Sequence, residues 1–195
     1  MLKIVVATNN KHKVDELKGM LSSKVELYTL NDVGINIDPD ENGKTYAENA
    51  YIKASEVAKF TDLPVLSDDS GIEIEALGEH FPGIYSHRYA IENGGQSLLN
   101  EKLVKEIPGS YAKFTSHFVL LNLKPGQRLD FEGTMEGKIS DIVEGANGFG
   151  YDPIFIANGY KHSVSTLSPE EKNQISHRYN ASKALLNYLK ENNYI

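Results

Sequence analysis

The spacing of apolar residues changes character early in this chain, and that change limits the fold more than any other feature. "KIVVAT", residues 3–8, is a short continuous apolar run of the kind that forms a buried strand. The polar stretch "NNKHK" ends it. Val14, Leu17, Met20 and Leu21 then recur at helical spacing, so a strand passes through a polar turn into a helix. "VELYTL", 25–30, reads as a second strand.

The alternation continues. "NDVGINIDPDENGKT" is a loop rich in Asp, Asn and Gly. Ala47, Ala50, Ala54, Val57 and Ala58 make one small-residue face of a helix. "PVLSDDSGIEIEAL" reads as strand, tight turn, strand, and "SLLNEKLVKEI" as a helix. "YAKFTSHFVLLNL" and "RLDFEGTMEGKI" are longer strands, expected to pair antiparallel across "KPGQ". "EGANGFGYDPIFI" is a Gly-rich loop that leads into a strand. Ser168-Pro169-Glu170-Glu171 is a capping box with Pro at the first helical position. Ser176 is placed to cap a last helix, whose apolar face is Ala181, Ala184, Leu185, Tyr188 and Leu189. Helices mixed with short and long strands imply an α/β fold with a mixed sheet. A chain of 195 residues fits one domain, or one domain with two lobes.

Composition removes several functions. There is no cysteine, which excludes disulfides, thiolate metal sites and a cysteine nucleophile. The apolar run Ile4-Val5-Val6-Ala7 is far too short for a signal peptide or a membrane span. We expect a cytoplasmic protein without membrane contact. The formal net charge of −7 argues against nucleic acid as a partner. An anionic ligand would need a local positive pocket.

Two apparent motifs fail. "DPDENG" begins like a calcium loop, but the twelfth position is Asn49 instead of a bidentate glutamate, and no helix precedes it. "NGKT" ends like a phosphate-binding P-loop, yet its first glycine would fall at Asp38.

Four other stretches carry plausible chemistry. In "SDDSG", Ser67 to Gly71, two carboxylates stand side by side, expected in a turn at a strand end. Adjacent strand residues point to opposite faces, so one carboxylate serves a given pocket and the other is read as capping backbone amides. Such a carboxylate suits a hard cation or a proton taken from water. The plain alternative is an Asp-rich turn. Thr8, Asn9, Asn10, Lys11, His12 and Lys13 lie between a strand and a helix, where amides and lysines favour phosphate. "GFGYD", Phe149 with Gly150, Tyr151 and Asp152 after Gly148, brings flexible backbone around a ring able to stack on a base. Lys172, His177 and Arg178 gather donors at a break between helices. Together they form the part list of a nucleoside-triphosphate site.

"ATNNKHKVDEL", "TYAENAYIKA", "LSDDSGIEIEAL", "PGIYSHRYA", "GFGYDPIF" and "EEKNQISHR" follow one another between residues 7 and 178. In that order they resemble the inosine triphosphatase family of non-standard purine nucleoside-triphosphate pyrophosphatases. The resemblance implies a long mixed β-sheet with flanking helices, two lobes around a central cleft, and a homodimer. It implies Mg²⁺-dependent hydrolysis of ITP, dITP and XTP to the monophosphate and pyrophosphate. Carried over, Thr8, Asn10, Lys13, Lys53 and Ser70 would hold phosphates. Asp69 would be general base and metal contact, with Glu41 as the second metal ligand. Phe149 and Asp152 would border the base, and Lys172, His177 and Arg178 would contact it. Lys172 and Arg178 can only donate, which suits a keto oxygen at C6 and not the amino group of adenine.

Two departures stand out. Asp40 and Glu41 are neighbours, so either could serve the metal. His87 stands where the family usually has a small residue. The string Ser-His-Arg-Tyr occurs at 86–89 and again at 176–179, but nothing flanking it matches, so it is no internal repeat. We read the first copy as structural and the second as base recognition. Other readings are a pyrophosphatase for other modified bases, a nucleotide sensor without turnover, and a structural dimer module.

Overall fold

The computed structural model describes residues 1–195. In chain order the elements are β1 (Leu2–Val6), α1 (Lys11–Leu21), β2 (Val25–Tyr28), α2 (Tyr46–Val57), β3 (Val65–Ile74), β4 (Pro82–Gly83), α3 (Ser86–Glu92), α4 (Gln96–Glu106), β5 (Tyr111–Leu121), β6 (Arg128–Ile139), β7 (Phe155–Ala157), α5 (Pro169–Lys172) and α6 (His177–Glu191). Seven strands form one sheet in the order β2-β1-β3-β5-β6-β7, with β4 added on β3. It is mixed: β1 pairs parallel with β2 and β3, while β3–β4 and β6–β7 are antiparallel. The link between β5 and β6 closes with Asn122 N–H donating to Gln127 O at 2.9 Å, far too short for a parallel crossover.

The chain divides into two compact units. The first is Met1–Asp69, Ser116–Gly133 and Arg178–Ile195, and the second is Ser70–Thr115 and Thr134–His177. Strand alternation builds the first unit. Ile4, Val6, Leu66, Phe118 and Leu120 pack against Leu17 and Leu21 of α1 and Ala181, Leu185 and Leu189 of α6. Their odd-numbered neighbours Val5, Ala7, Val65, Val119 and Leu121 pack on the other face against Ala50, Ala54 and Val57 of α2. A period of two in the strands meets a period near 3.6 in the helices. In the second unit, Ile72, Ile74, Leu99, Leu103, Phe114, Met135, Ile154 and Phe155 form a separate core.

One expectation needs correction. "SDDSG" is no turn: β3 runs unbroken from Val65 to Ile74. Gly71 supplies close approach instead of a bend. A Cβ there would strike the main-chain oxygen of Gly83 and the hydroxyl of Ser86, so glycine lets β4 and α3 reach the strand. The segment around the first Ser-His-Arg-Tyr forms α3. Ser86 Oγ donates to Gly83 O at 2.6 Å and accepts from Ile72 N at 2.9 Å, anchoring that helix to β3.

Candidate active site

The chemistry-bearing residues of the first unit gather at Asp68 and Asp69. Alternation assigns them to opposite faces of β3. Asp68 shares the face of Leu66, toward α1 and α6, and Asp69 the face of Val65, toward α2.

Asp68 is fully buried and saturated with partners. Its Oδ1 accepts from Ser116 Oγ at 2.5 Å. Its Oδ2 lies 3.0 Å from Arg178 Nε and 3.1 Å from Lys13 Nζ. Arg178, 1 % exposed, also pairs through Nη1 with Glu16 of α1. Burial alone pushes the Asp68 carboxyl up, but Arg178, Lys13, the Ser116 hydroxyl and Lys53 overcome it and hold it well below the carboxylate range. The expectation that the second carboxylate caps backbone amides is therefore overturned: it joins two cations and a hydroxyl.

Asp69 is the opposite case. Its Oδ1 lies 3.4 Å from Lys53 Nζ, and its Oδ2 is buried without a hydrogen-bond partner. Burial raises the carboxyl; Lys53 and Lys13 oppose it, Glu41 and Asp68 add to it, and the result is about 6. Such a carboxylate is ionised at neutral pH yet basic enough to take a proton.

Lys53 reaches this place because α2 is thin. Ala50 and Ala54, both fully buried, bring the helix close to the sheet. The ammonium donates to Asp68 O at 2.8 Å and pairs with Glu41 Oε1 at 3.2 Å. Burial lowers its pKa, but Asp69, Glu41 and Asp68 more than compensate and raise it. Of the neighbours Asp40 and Glu41, it is Glu41 that reaches Lys53. Lys13 donates to the same Asp68 carbonyl at 3.4 Å. Burial lowers its pKa despite Asp68.

Around them, Asn10 caps α1 by accepting from Lys13 N at 3.2 Å, and Thr8 Oγ1 accepts from Asn10 N. Asn9 Nδ2 ties Ile37 O at 3.0 Å. Lys11 and His12 are exposed in the first turn of α1, which holds no acidic side chain, so the helix dipole there stays open to an anion. Ser70 continues β3 into the second unit.

No group of three or more His, Asp or Glu is close enough to hold a metal ion. Mg²⁺, however, commonly takes one or two carboxylates and fills its shell with phosphate and water. Asp69 and Glu41 converge on one ammonium, and Asp69 Oδ2 has a lone pair to spare. The cluster sets Lys13, Lys53 and Arg178 against Glu16, Glu41, Asp68 and Asp69, so a further cation suits it before a triphosphate does. The residues fit Mg²⁺.

The second unit holds its own polar cluster. Asp152 Oδ2 accepts from Phe149 N at 2.8 Å and from Lys172 Nζ at 2.6 Å. That ammonium lies 5.1 Å from the Phe149 ring centroid. Gly148 makes the turn with φ +78°, and a Cβ on it would collide with the Asp152 carboxylate. Asn100 Nδ2 holds Gly150 O at 3.0 Å. Tyr151 is buried in the core with its hydroxyl donating to Ser86 O at 2.8 Å, and burial pushes that phenol up. His177 is buried and stacked on Phe114, centroids 4.8 Å apart and planes 10° from parallel.

Sequence reasoning thus missed Ser116, Glu16 and the central place of Asp68. The signal was present: Ser116 has the strand parity of Phe118 and Leu120, whose face meets α1 and α6.

The first unit thus sets a buried carboxylate, Asp69, beside Lys53, with Lys13 held on the neighbouring Asp68. The chain belongs to the Ham1 family, whose family model matches residues 4–188. It is 40% identical over 202 residues to a protein named dITP/XTP pyrophosphatase from Clostridium perfringens, covering 97% of this chain and 98% of that one. A protein of the same name from Campylobacter jejuni is 42% identical over 189 residues, covering 92% and 93%. The solved structure of a HAM1 protein from Coxiella burnetii superposes with a TM-score of 0.85 at 36% identity, covering 98% of this chain and all of that one.

Proposed function

We propose that this protein hydrolyses non-standard purine nucleoside triphosphates, ITP, dITP and XTP, to the monophosphate and pyrophosphate, and so removes them from the nucleotide pool. The observation that carries this reading is the buried Asp69 carboxylate, with one oxygen unshared, next to two lysines gathered on residue 68. Asp69 orients and deprotonates the attacking water. General-base help of this kind contributes on the order of 10²- to 10⁴-fold. Lys13 and Lys53 face the negative charge that develops on the pyrophosphate leaving group, and donors already in place there need no reorganisation. Asp69 and Glu41 would hold Mg²⁺, which when bound neutralises phosphate charge. No covalent intermediate is required.

Base choice is assigned to the cluster of the second unit. Phe149 offers a stacking face, and Lys172, fixed by Asp152, donates to a C6 keto oxygen but meets a donor, the amino group, at C6 of adenine. His177 belongs to the same reading. The relatives' names and the resemblance support dITP and XTP as substrates. A homodimer and a cytoplasmic location are part of the proposal; no helix is long and apolar enough to cross a membrane. Light scattering tests the dimer.

The test of substrate class is pyrophosphate release from ITP, dITP, XTP, GTP, ATP and dTTP, with and without Mg²⁺. We expect the first three to be preferred by at least about tenfold, and only with Mg²⁺. A preference for dTTP or another pyrimidine would move the protein to a different substrate class. Binding without turnover would make it a sensor.

A further inference from the structure

One residue of the first unit collects more functional groups than its own chemistry explains. The main-chain carbonyl of Asp68 accepts from Lys53 at 2.8 Å and from Lys13 at 3.4 Å. Its carboxylate holds Lys13 a second time at 3.1 Å. The other partners of that carboxylate are Ser116 of β5 and Arg178 of α6, and Arg178 is itself tied to Glu16, one turn beyond Lys13 on α1. Three elements, α1, β5 and α6, therefore converge on a side chain with no exposed surface, and a fourth, α2, reaches its main-chain carbonyl. A buried carboxylate this well paired cannot act as a base, and water does not reach it. What it can do is fix the position of an ammonium whose long stem is otherwise free to turn.

We propose that Asp68 is a positioning residue for the phosphate chain: it aims Lys13, and Arg178 and Ser116 aim Asp68. Arg178 then acts at the phosphate end through Asp68, whereas the resemblance places it on the base. The inference rests on the proposed pyrophosphatase reading for its substrate, but not for its geometry.

The distinguishing readout is a double-mutant cycle. Asp68→Asn keeps shape and removes the charge, and Lys13→Ala removes the group that Asp68 is said to aim. With ITP and Mg²⁺ we expect Asp68→Asn to lower kcat/KM about 30-fold in the parent background. In the Lys13→Ala background it should cost less than about threefold, because the ammonium is already gone. A residue that only supports the fold would cost the same in both. If Asp68→Asn fails to fold, Ser116→Ala carries the test: it leaves every charge in place and removes one hydrogen bond. We expect a loss of about fivefold that disappears with Lys13→Ala. The same cycle is run on binding of inorganic pyrophosphate by calorimetry, which needs no turnover. Coupling in binding with no turnover of ITP would support the inference and sink the pyrophosphatase reading. Equal losses in both backgrounds, or no pyrophosphate binding by the parent protein, would overturn the inference.

Discussion

The two faces of β3 carry the same side chain and treat it in opposite ways. Toward α1 and α6, Asp68 meets Arg178, Lys13 and Ser116, and its charge is locked in. Toward α2, Asp69 meets Lys53 on one oxygen and no partner on the other, and it titrates near 6. Both are buried, so burial is not what separates them. The number of donors is. A buried carboxylate with enough donors is a fixed anion that braces the fold, and one with too few is held close to giving up its charge. Two neighbouring carboxylates are thus given opposite surroundings by the alternation of one strand.

Swapping each aspartate for asparagine breaks the comparison at its largest effect. Asp69→Asn should reduce pyrophosphate release at least about 100-fold. It should also stabilise the protein. Asp69 has a folded pKa raised from 3.8 to about 6, so the folded state holds the proton more tightly than the unfolded chain. Its ionisation then costs stability progressively as pH rises between those values, and fully above them. At roughly 1.4 kcal/mol per unit the relief in Asp69→Asn is up to about 3 kcal/mol near neutral pH, vanishing below about pH 4. Urea midpoints at several pH values would show it.

Asp68→Asn should do the reverse to stability. It strips the partner from the fully buried Arg178, and breaking a buried pair from one side costs about 3–5 kcal/mol. Because the folded pKa of Asp68 is depressed, the lost stability is that present above the ordinary carboxylate range. Below it, where the unfolded chain takes up the proton while the folded parent keeps Asp68 ionised, the difference shrinks.

A smaller effect sharpens the assignment of the base. At low Mg²⁺, kcat/KM for ITP should fall about tenfold for each unit of pH below about 6, as Asp69 takes up its proton. Added Mg²⁺ stabilises the carboxylate and should move that limb to lower pH. A limb that ignores Mg²⁺ would place the titrating group elsewhere.

The two copies of Ser-His-Arg-Tyr give a last contrast, with His87 as its control. Each opens a helix, yet His87 and Arg88 are exposed whereas His177 and Arg178 are buried. Arg178→Ala should cost about 10- to 150-fold in kcat/KM, the value of charged hydrogen bonds in a buried site. His87→Ala should change it less than about threefold, within the range of surface substitutions. If His87→Ala were the more damaging, the two copies would have exchanged roles.

Much of the fold was legible because its periods are clean. "KIVVAT", the α1 stripe and the capping box at Ser168 lie where the sequence puts them, since apolar spacing and capping are local facts. The turn expected at "SDDSG" failed for a non-local reason: Gly71 answers to Gly83 and Ser86, which no window around residue 71 contains. Asp69 was legible as a carboxylate worth watching. Asp68 as a hub was not, because its partners come from residues 13, 116 and 178, and only the sheet brings them together. Tyr151 lies within a motif that suggests base contact, yet its hydroxyl is spent on Ser86 O.

The account stands most directly on which bond breaks and on whether Asp69 breaks it. The measurement is chromatography of ITP incubated with Mg²⁺ and either the parent protein or Asp69→Asn. We expect IMP and pyrophosphate in equal amounts from the parent and neither from the variant. IDP with orthophosphate, or undiminished IMP from Asp69→Asn, would contradict it.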